Sequence, residues 1–159
     1  MMQSRLFSLF TKPWKTLPLP ELGRKVHALG FDGVELPVRP GFQVETEHIE
    51  RDLPVAQRML REHGVRILSV ATAPTPAAIR ACGKLGIPLI RVMAEIGPDG
   101  YIATEQRLRQ SYEALVPQLR DAGVTLGVQN HYGRFVSHAL GLRRLLEGFD
   151  PTLVGAVWD

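Results

Sequence analysis

Residues 123–133, GVTLGVQNHYG, have the pattern of an apolar strand that ends abruptly in polar side chains and a glycine turn. Because side chains alternate in direction along a strand, Gln129 and His131 should point the same way, opposite to Val128. Polar residues at the carboxyl end of a buried parallel strand are typical of the place where α/β proteins hold their chemistry. The stretch therefore predicts a functional site, and the alternative is that these residues only begin a polar loop.

The same order of an amphipathic helix, a glycine and an apolar strand recurs at four places, marked by Gly30, Gly64, Gly86 and Gly123. Repeated βα units predict a parallel sheet with right-handed crossovers. The predicted strands cover residues 5–10, 31–36, 65–70, 87–93, 123–129 and 153–159. The predicted helices cover residues 20–29, 53–63, 77–85, 104–122 with Thr104 as N-cap, and 137–146 with Ser137 as N-cap, while residues 41–50 form an irregular loop.

Two architectures fit this order of elements, a barrel of βα units and an open doubly wound sheet. No strand is followed by closely spaced glycines that open a helix, so the dinucleotide-binding fingerprint is absent and the barrel is favoured. A complete barrel has eight units and typically about 250 residues. We therefore predict one α/β domain over residues 1–159, a partial (β/α)8 TIM barrel with six parallel strands and about five helices, not closed and incomplete at its C-terminus.

The composition indicates which partners the protein can have and where in the cell it is expected. The chain is 45% hydrophobic and 22% charged, which indicates an ordered globular protein, and its net charge of +3 is spread along the helices, which argues against a nucleic-acid partner. No apolar run is long enough to span a membrane and the first ten residues lack a signal-peptide cleavage site, so a cytoplasmic location is expected. The single cysteine, Cys82, excludes an internal disulfide and is interpreted as a packing residue, with a reactive thiol as the alternative.

Five short motifs, taken in their order and spacing, carry a resemblance to a known family. They are GFDGVE at 30–35, HGVRI at 63–67, LGIPLIRV at 85–92, GVQNH at 127–131 and VWD at 157–159. In these motifs the chain resembles the xylose-isomerase-like TIM-barrel family of sugar phosphate isomerases and epimerases, and the match covers essentially the whole sequence. The resemblance implies a small sugar or sugar acid as substrate.

The resemblance also implies a divalent metal, Mn²⁺ or Mg²⁺, at the mouth of the barrel. In the family the ligands are a glutamate ending strand five, an aspartate ending strand six, a histidine from strand seven and a glutamate from strand eight. The metal polarises the sugar while glutamates move a proton between adjacent carbons through an enediolate. When the family pattern is applied to this sequence, Gln129 occupies the position of the glutamate that ends strand five, and Asp159 that of the aspartate that ends strand six. The other two ligands have no counterpart in this sequence.

Two departures from the family pattern bear on activity. A glutamine at position 129 offers a metal a neutral oxygen and cannot accept a proton as a carboxylate does. The chain also ends before a seventh strand. These departures predict a truncated member or a fragment that is not a competent enzyme by itself.

Single residues near the predicted strand ends are further candidates. His131 is a candidate to contact substrate hydroxyls or shuttle a proton, with a structural histidine as the alternative. Asn130 is a candidate substrate contact, although its predicted direction toward the helices favours a turn or hydrogen-bonding role. Lys12 is a candidate phosphate contact or a solvated lysine. His138 and His63 are expected on helix surfaces, Trp158 is expected to pack under helices, and His27 and His48 belong to no constellation.

Glu35 and Arg91 are predicted to meet inside the barrel. Each lies five residues beyond a glycine of the repeat, Gly30 and Gly86, which suggests equivalent heights on strands two and four. Alternate strands of a TIM barrel contribute to the same interior layer, and a buried unpaired charge is costly. Both side chains should therefore point inward and form an ion pair, and both are candidates for substrate binding.

Three further expectations complete the sequence-based hypothesis. A non-catalytic binding protein that kept the barrel and lost the metal is an alternative, because Gln129 replaces a metal-binding glutamate of the family. The apurinic endonuclease branch of the same fold needs histidines for a zinc cluster on early strands, and the ends of strands two and three, ELP at 35–37 and ATA at 71–73, carry none. An open arc of six strands would also expose its edges, so self-association is expected.

Overall fold

The computed structural model describes residues 5–159, in which six parallel strands form one sheet whose spatial order follows the chain. Strands β1 to β6 are Ser8–Phe10, Gly33–Pro37, Arg66–Ala71, Leu89–Met93, Thr125–Gln129 and Val154–Val157. Helices α1 to α5 are Leu19–Ala28, Ile49–Arg61, Pro76–Leu85, Tyr101–Ala122 and Ala139–Leu146. Within the described residues β1 and β6 each pair with one strand only, so the sheet is not closed. The predicted partial (β/α)8 barrel is confirmed.

The four glycines that mark the repeat have the same backbone conformation. Their φ angles are +80° at Gly30, +73° at Gly64, +65° at Gly86 and +64° at Gly123, the left-handed region that a side chain disfavours. At Gly86 and Gly123 the glycine N–H closes the end of the helix on carbonyls of its last turn. Each glycine therefore ends a helix and turns the chain back toward the sheet.

The hydrophobic core lies between the sheet and the helices. On β5 the predicted alternation is confirmed, because Leu126 and Val128 are fully buried in the core while Gln129 is half-buried. Cys82 on α3 is fully buried in the same core, and its burial raises the pKa of the thiol to about 12. The interpretation of Cys82 as a packing residue is confirmed, and a reactive thiolate at neutral pH is not supported.

Two predicted helix starts are wrong. Helix α2 begins at Ile49 instead of residue 53, following a short 3-10 turn, and Ile49 itself is 1% exposed. Helix α4 begins at Tyr101, so Thr104 lies in its first turn and is not the N-cap. The Thr104 hydroxyl instead accepts a hydrogen bond from the Gly97 N–H, 2.9 Å, which fixes the preceding loop. Of the five helices in residues 5–159, none has both the length and the apolar character for a membrane crossing.

The predicted cap of α5 is also displaced by one residue. His138, not Ser137, is the N-cap, and its Nδ1 accepts a hydrogen bond from the Gly141 N–H at 3.1 Å. A ring nitrogen can replace a hydroxyl here because the cap needs only an acceptor near the free N–H groups of the first turn. His138 is thus exposed, as predicted, but has a structural contact.

The edges of the sheet differ from their predicted form. Strand β1 starts at Ser8 instead of residue 5, and β6 ends at Val157. Trp158 does not pack under helices as predicted, because its side chain is 66% exposed. It lies beyond the last paired residue of an edge strand, and no helix of the described chain covers that side.

Candidate active site at the carboxyl ends of the strands

Glu35 on β2 and Arg91 on β4 form an ion pair inside the arc of strands. Arg91 donates to Glu35 Oε1 from Nη2 at 2.5 Å and from Nε at 3.1 Å, and the two side chains are only 6% and 17% exposed. The other carboxylate oxygen accepts a hydrogen bond from Ser69 Oγ at 3.1 Å, and the Arg91 guanidinium lies 4.8 Å from the ring centroid of Phe10. The predicted inward direction and ion pair are confirmed.

The heights of the two residues are not equivalent in the hydrogen-bond register. Glu35 lies opposite Ser69 on β3, whereas Arg91 lies opposite Ala71, two residues further along that strand. The long arginine side chain spans this offset. Sequence reasoning missed Ser69, although it lies five residues beyond Gly64, the same offset that identified the two charged residues.

At the ends of β5 and β6 a second cluster joins Gln129, Asn130 and Asp159. Gln129 Nε2 donates to Asp159 Oδ2 at 2.6 Å. Asn130 Nδ2 donates to the Asp159 carbonyl at 2.6 Å, and the Asp159 N–H donates to Asn130 Oδ1 at 2.8 Å. The Asn130 amide thus takes the place of a peptide group and continues the pairing of the two strands by one residue. Its favoured hydrogen-bonding role is confirmed, with the backbone beyond β6 as the partner in place of the helix side.

The Gln129–Asp159 pair does not fit the divalent metal that the resemblance implied. An ionised aspartate only accepts hydrogen bonds, so the Gln129 amide turns its N–H₂ group toward the carboxylate and not its oxygen. Mg²⁺ and Mn²⁺ sites are built mainly from oxygen ligands, several of them carboxylates. Within residues 5–159 no group of three or more histidine, cysteine, aspartate or glutamate side chains is placed to hold a metal ion.

His131 belongs to an aromatic cluster and makes no hydrogen bond to Gln129 within the described residues. Its ring stacks on Tyr132, 4.5 Å between centroids, and meets the edge of Phe135 at 4.9 Å. Its Nδ1 lies 2.9 Å from the Tyr132 carbonyl, which can only accept, so Nδ1 carries the proton in the neutral ring. The Nε2 atom is then left as a proton acceptor.

The remaining candidates lie apart from these clusters. Lys12 follows β1 in a short 3-10 turn, is exposed, and forms no salt bridge within residues 5–159. His27 and His48 are exposed, and His63 is half-buried where it packs over Gly23 of α1. The structure gives no contact that would assign a functional role to any of these four side chains.

A cavity of about 550 Å³ opens beside the ends of β2, β3 and β4. Its polar lining includes Arg39, Thr72, Arg91 and Glu95, and Phe135 closes one side. Sequence reasoning missed Arg39 and Thr72, although Arg39 lies two residues beyond β2 and Thr72 directly follows β3, where α/β proteins hold their ligands. Burial, and then the positive charge of Arg91, lower the pKa of Arg39 from its ordinary value, while Glu35 acts in the opposite direction.

The fold and these clusters agree with a family assignment. The sequence profile of the xylose isomerase-like TIM barrel family matches residues 24–159. The chain therefore belongs to the xylose isomerase-like TIM barrel family. Among curated proteins, no relative matches the chain in sequence.

Solved structures share the fold at low sequence identity. A 3-keto-D-glucoside 4-epimerase from E. coli is 14% identical with a TM-score of 0.74, and the match covers 98% of this chain and 68% of that one. A putative xylose isomerase from Rhodospirillum rubrum is 15% identical with a TM-score of 0.74, covering 98% and 66%. A D-psicose 3-epimerase, crystallised with D-fructose, is 14% identical with a TM-score of 0.68, covering 98% and 63%. The chain thus spans about two thirds of the length of each structure.

Proposed function

We propose that the strand ends of this chain bind a small sugar or sugar acid as part of a sugar isomerase or epimerase. The observation that carries the proposal is the convergence of the Gln129–Asp159 pair, the His131 cluster and the cavity at one end of the sheet. Family membership supports it, and so do neighbours whose names include an epimerase of a keto-glucoside and one crystallised with D-fructose. A cytoplasmic location stays a prediction.

The chain's own residues supply binding and one proton-accepting atom. His131 and Phe135 present aromatic surface to a sugar ring, and the Gln129 amide oxygen is a further acceptor, because its N–H₂ group contacts Asp159. Both ends of the Asn130 amide are already bonded to the Asp159 backbone. In an isomerase that works through an enediolate, a proton moves between adjacent carbons, and His131 Nε2 is the acceptor that this chain offers. Because the Gln129–Asp159 pair does not fit a metal, we assign no metal-dependent step to it.

A binding measurement tests this proposal. Saturation-transfer NMR with D-psicose and D-fructose should show weak binding to the native chain. A His131→Ala variant should bind about 2- to 10-fold more weakly, because it loses one aromatic contact to the sugar ring. A His27→Ala variant, which changes an exposed histidine in the last turn of α1 at the opposite end of the sheet, should bind as the native chain does. Absence of sugar binding to the native chain, or an equal loss in both variants, would refute the proposal.

A non-catalytic barrel is the second candidate function. The specific observation in its favour is the Gln129 amide, which donates a hydrogen bond to the Asp159 carboxylate at 2.6 Å. The resemblance implies a metal-bound glutamate at position 129. Such a protein would bind sugars by the same aromatic surface. Solvent deuterium entering the sugar next to the carbonyl would identify the isomerase, and binding without exchange would identify the non-catalytic barrel.

We also propose that the chain self-associates through its two sheet edges. Strands β1 and β6 present unpaired backbone groups, and Phe7 and Trp158 beside them are 63% and 66% exposed. Sedimentation velocity should show dimers or larger species that increase with concentration. A Phe7→Lys, Trp158→Lys double variant should raise the monomer fraction, because charge at an edge opposes pairing, whereas Leu140→Lys on α5 should not. A single monomeric species at every concentration would contradict this prediction.

A further inference from the structure

The cavity beside β2, β3 and β4 is lined by two arginines, of which only Arg91 is paired with the inward carboxylate of Glu35. Arg91 uses Nε and Nη2 for Glu35, and its Nη1 makes no hydrogen bond within residues 5–159. Arg39 forms no salt bridge within the same residues, and it is half-buried in the loop after β2. Glu35 is already occupied by Arg91 and Ser69. Arg39 is therefore left at the cavity wall without a paired carboxylate within these residues.

Thr72 supplies a second, independent sign of a missing ligand. It follows β3 directly, is 8% exposed and lines the same cavity. Its Oγ1 is buried and has no hydrogen-bond partner within the described residues. Buried hydroxyls in folded proteins are nearly always paired, because an unpaired one loses its hydrogen bond to water without replacement. A ligand atom that accepts from Thr72 would remove this cost.

Glu95 is the one carboxylate in the cavity lining, and it lies on the solvent side. It belongs to the loop after β4 and is exposed, so water screens its charge more than that of the partly buried arginines. Glu35 is already paired with Arg91, so Glu95 is the carboxylate that balances Arg39 in number. The charge of the half-buried Arg39 is thus offset only by a carboxylate that water screens.

We propose that this cavity binds an oxyanion, a carboxylate or a phosphate ester, held by the guanidinium groups of Arg39 and Arg91 and by the Thr72 hydroxyl. Guanidinium groups match the planar pair of oxygens of such an anion, and the hydroxyl completes a third contact. On the basis of the proposed function, the ligand is an acidic sugar whose anionic group lies in this cavity and whose ring reaches the His131 cluster.

Isothermal titration with inorganic phosphate tests the anion site without reference to any sugar. The native chain should bind phosphate, and Arg39→Ala should weaken binding about 10- to 100-fold, as expected for loss of a charge-assisted contact. Thr72→Val should weaken it about 2- to 10-fold without loss of thermal stability, because the valine keeps the shape and removes an unpaired hydroxyl. Glu95→Gln should strengthen binding.

Arg66→Ala is the matched control. Arg66 is exposed at the opposite end of β3, so the variant changes the net charge equally and leaves the cavity intact. Phosphate binding that is absent in the native chain, or equally weakened by Arg39→Ala and Arg66→Ala, would overturn the inference.

Titrations with D-glucuronate, D-glucose 6-phosphate and D-glucose identify the source of the anion. Tighter binding of the uronate would indicate a sugar acid, and tighter binding of the phosphate ester a sugar phosphate. Equal binding of neutral glucose with no response to Arg39→Ala would overturn the anion site while leaving the proposed function intact. Phosphate binding without any gain from a sugar ring would support the anion site and count against the sugar-binding proposal.

Discussion

A Glu35→Ala substitution should lower the free energy of unfolding by about 3–5 kcal/mol, the cost typical of leaving one partner of a buried ion pair without its counter-charge. The expectation follows from the 6% exposure of the Arg91 side chain, whose guanidinium would keep its charge inside the arc of strands without a counter-charge. Loss of the carboxylate also leaves Ser69 Oγ without its acceptor. Urea denaturation followed by far-ultraviolet circular dichroism measures the change.

The Arg80–Glu50 pair provides the matched control. Its two side chains are 56% and 46% exposed, and it joins the same residue types at the protein surface. Glu50→Ala should cost much less than Glu35→Ala, because water screens an exposed pair. A Glu35→Leu, Arg91→Met double variant should recover part of the loss, since neither charge is then left unpaired. A Glu35→Ala cost as small as that of Glu50→Ala would mean that the inner pair is hydrated in solution.

A Gln129→Glu substitution should raise the affinity of the chain for Mn²⁺ well above that of the native chain. The substitution replaces the N–H that now contacts Asp159 with a second carboxylate, and two carboxylates at this distance repel unless a cation or a proton lies between them. The new carboxylate also attracts a divalent cation with a full negative charge, where the amide offered only a dipole. At a concentration of Mn²⁺ 100 times its dissociation constant, the ion should stabilise this variant by about 2.7 kcal/mol.

Calorimetric titration and thermal denaturation with and without Mn²⁺ measure the effect. Gln118→Glu is the charge-matched control, since Gln118 is exposed on α4 and the variant should gain no specific site. Adding Asp159→Asn to Gln129→Glu should abolish the new affinity. Equal Mn²⁺ affinity for the native chain and Gln129→Glu would show that the two side chains do not meet at the strand ends in solution.

The sequence predicts the sheet well because its signals are local and repeated. The four glycines of the repeat each carry a positive φ, and the fixed offset from Gly30 and Gly86 correctly places an ion pair between residues 56 positions apart. Alternation along residues 123–129 correctly separates the core face from the site face. These features depend on short-range geometry that a pattern of residue types specifies directly.

The parts that sequence reasoning missed depend on the path of loops. The loop before α4 is held by a hydrogen bond from the Gly97 N–H to the Thr104 hydroxyl, which links residues that no periodic pattern connects. Arg39 and Thr72 share a cavity only because the loops after β2 and β3 run side by side. The direction of the Gln129 amide depends on Asp159, on the neighbouring strand. In each case the decisive contact lies outside the local repeat.

The repeated glycine also determines where the chain can accept an extra residue. In three units the inward side chain, Glu35, Ser69 or Arg91, lies five residues after its own glycine. The distance from the glycine turn therefore determines which side chains of each strand point inward. A residue added before Gly86, within α3, would shift the helix but leave the direction of Arg91 unchanged. A residue added between Gly86 and Arg91 would reverse the faces of β4, because one position of slip exchanges the two sides of a strand. Length variation among descendants of this chain should therefore accumulate upstream of the turns and be selected against downstream of them.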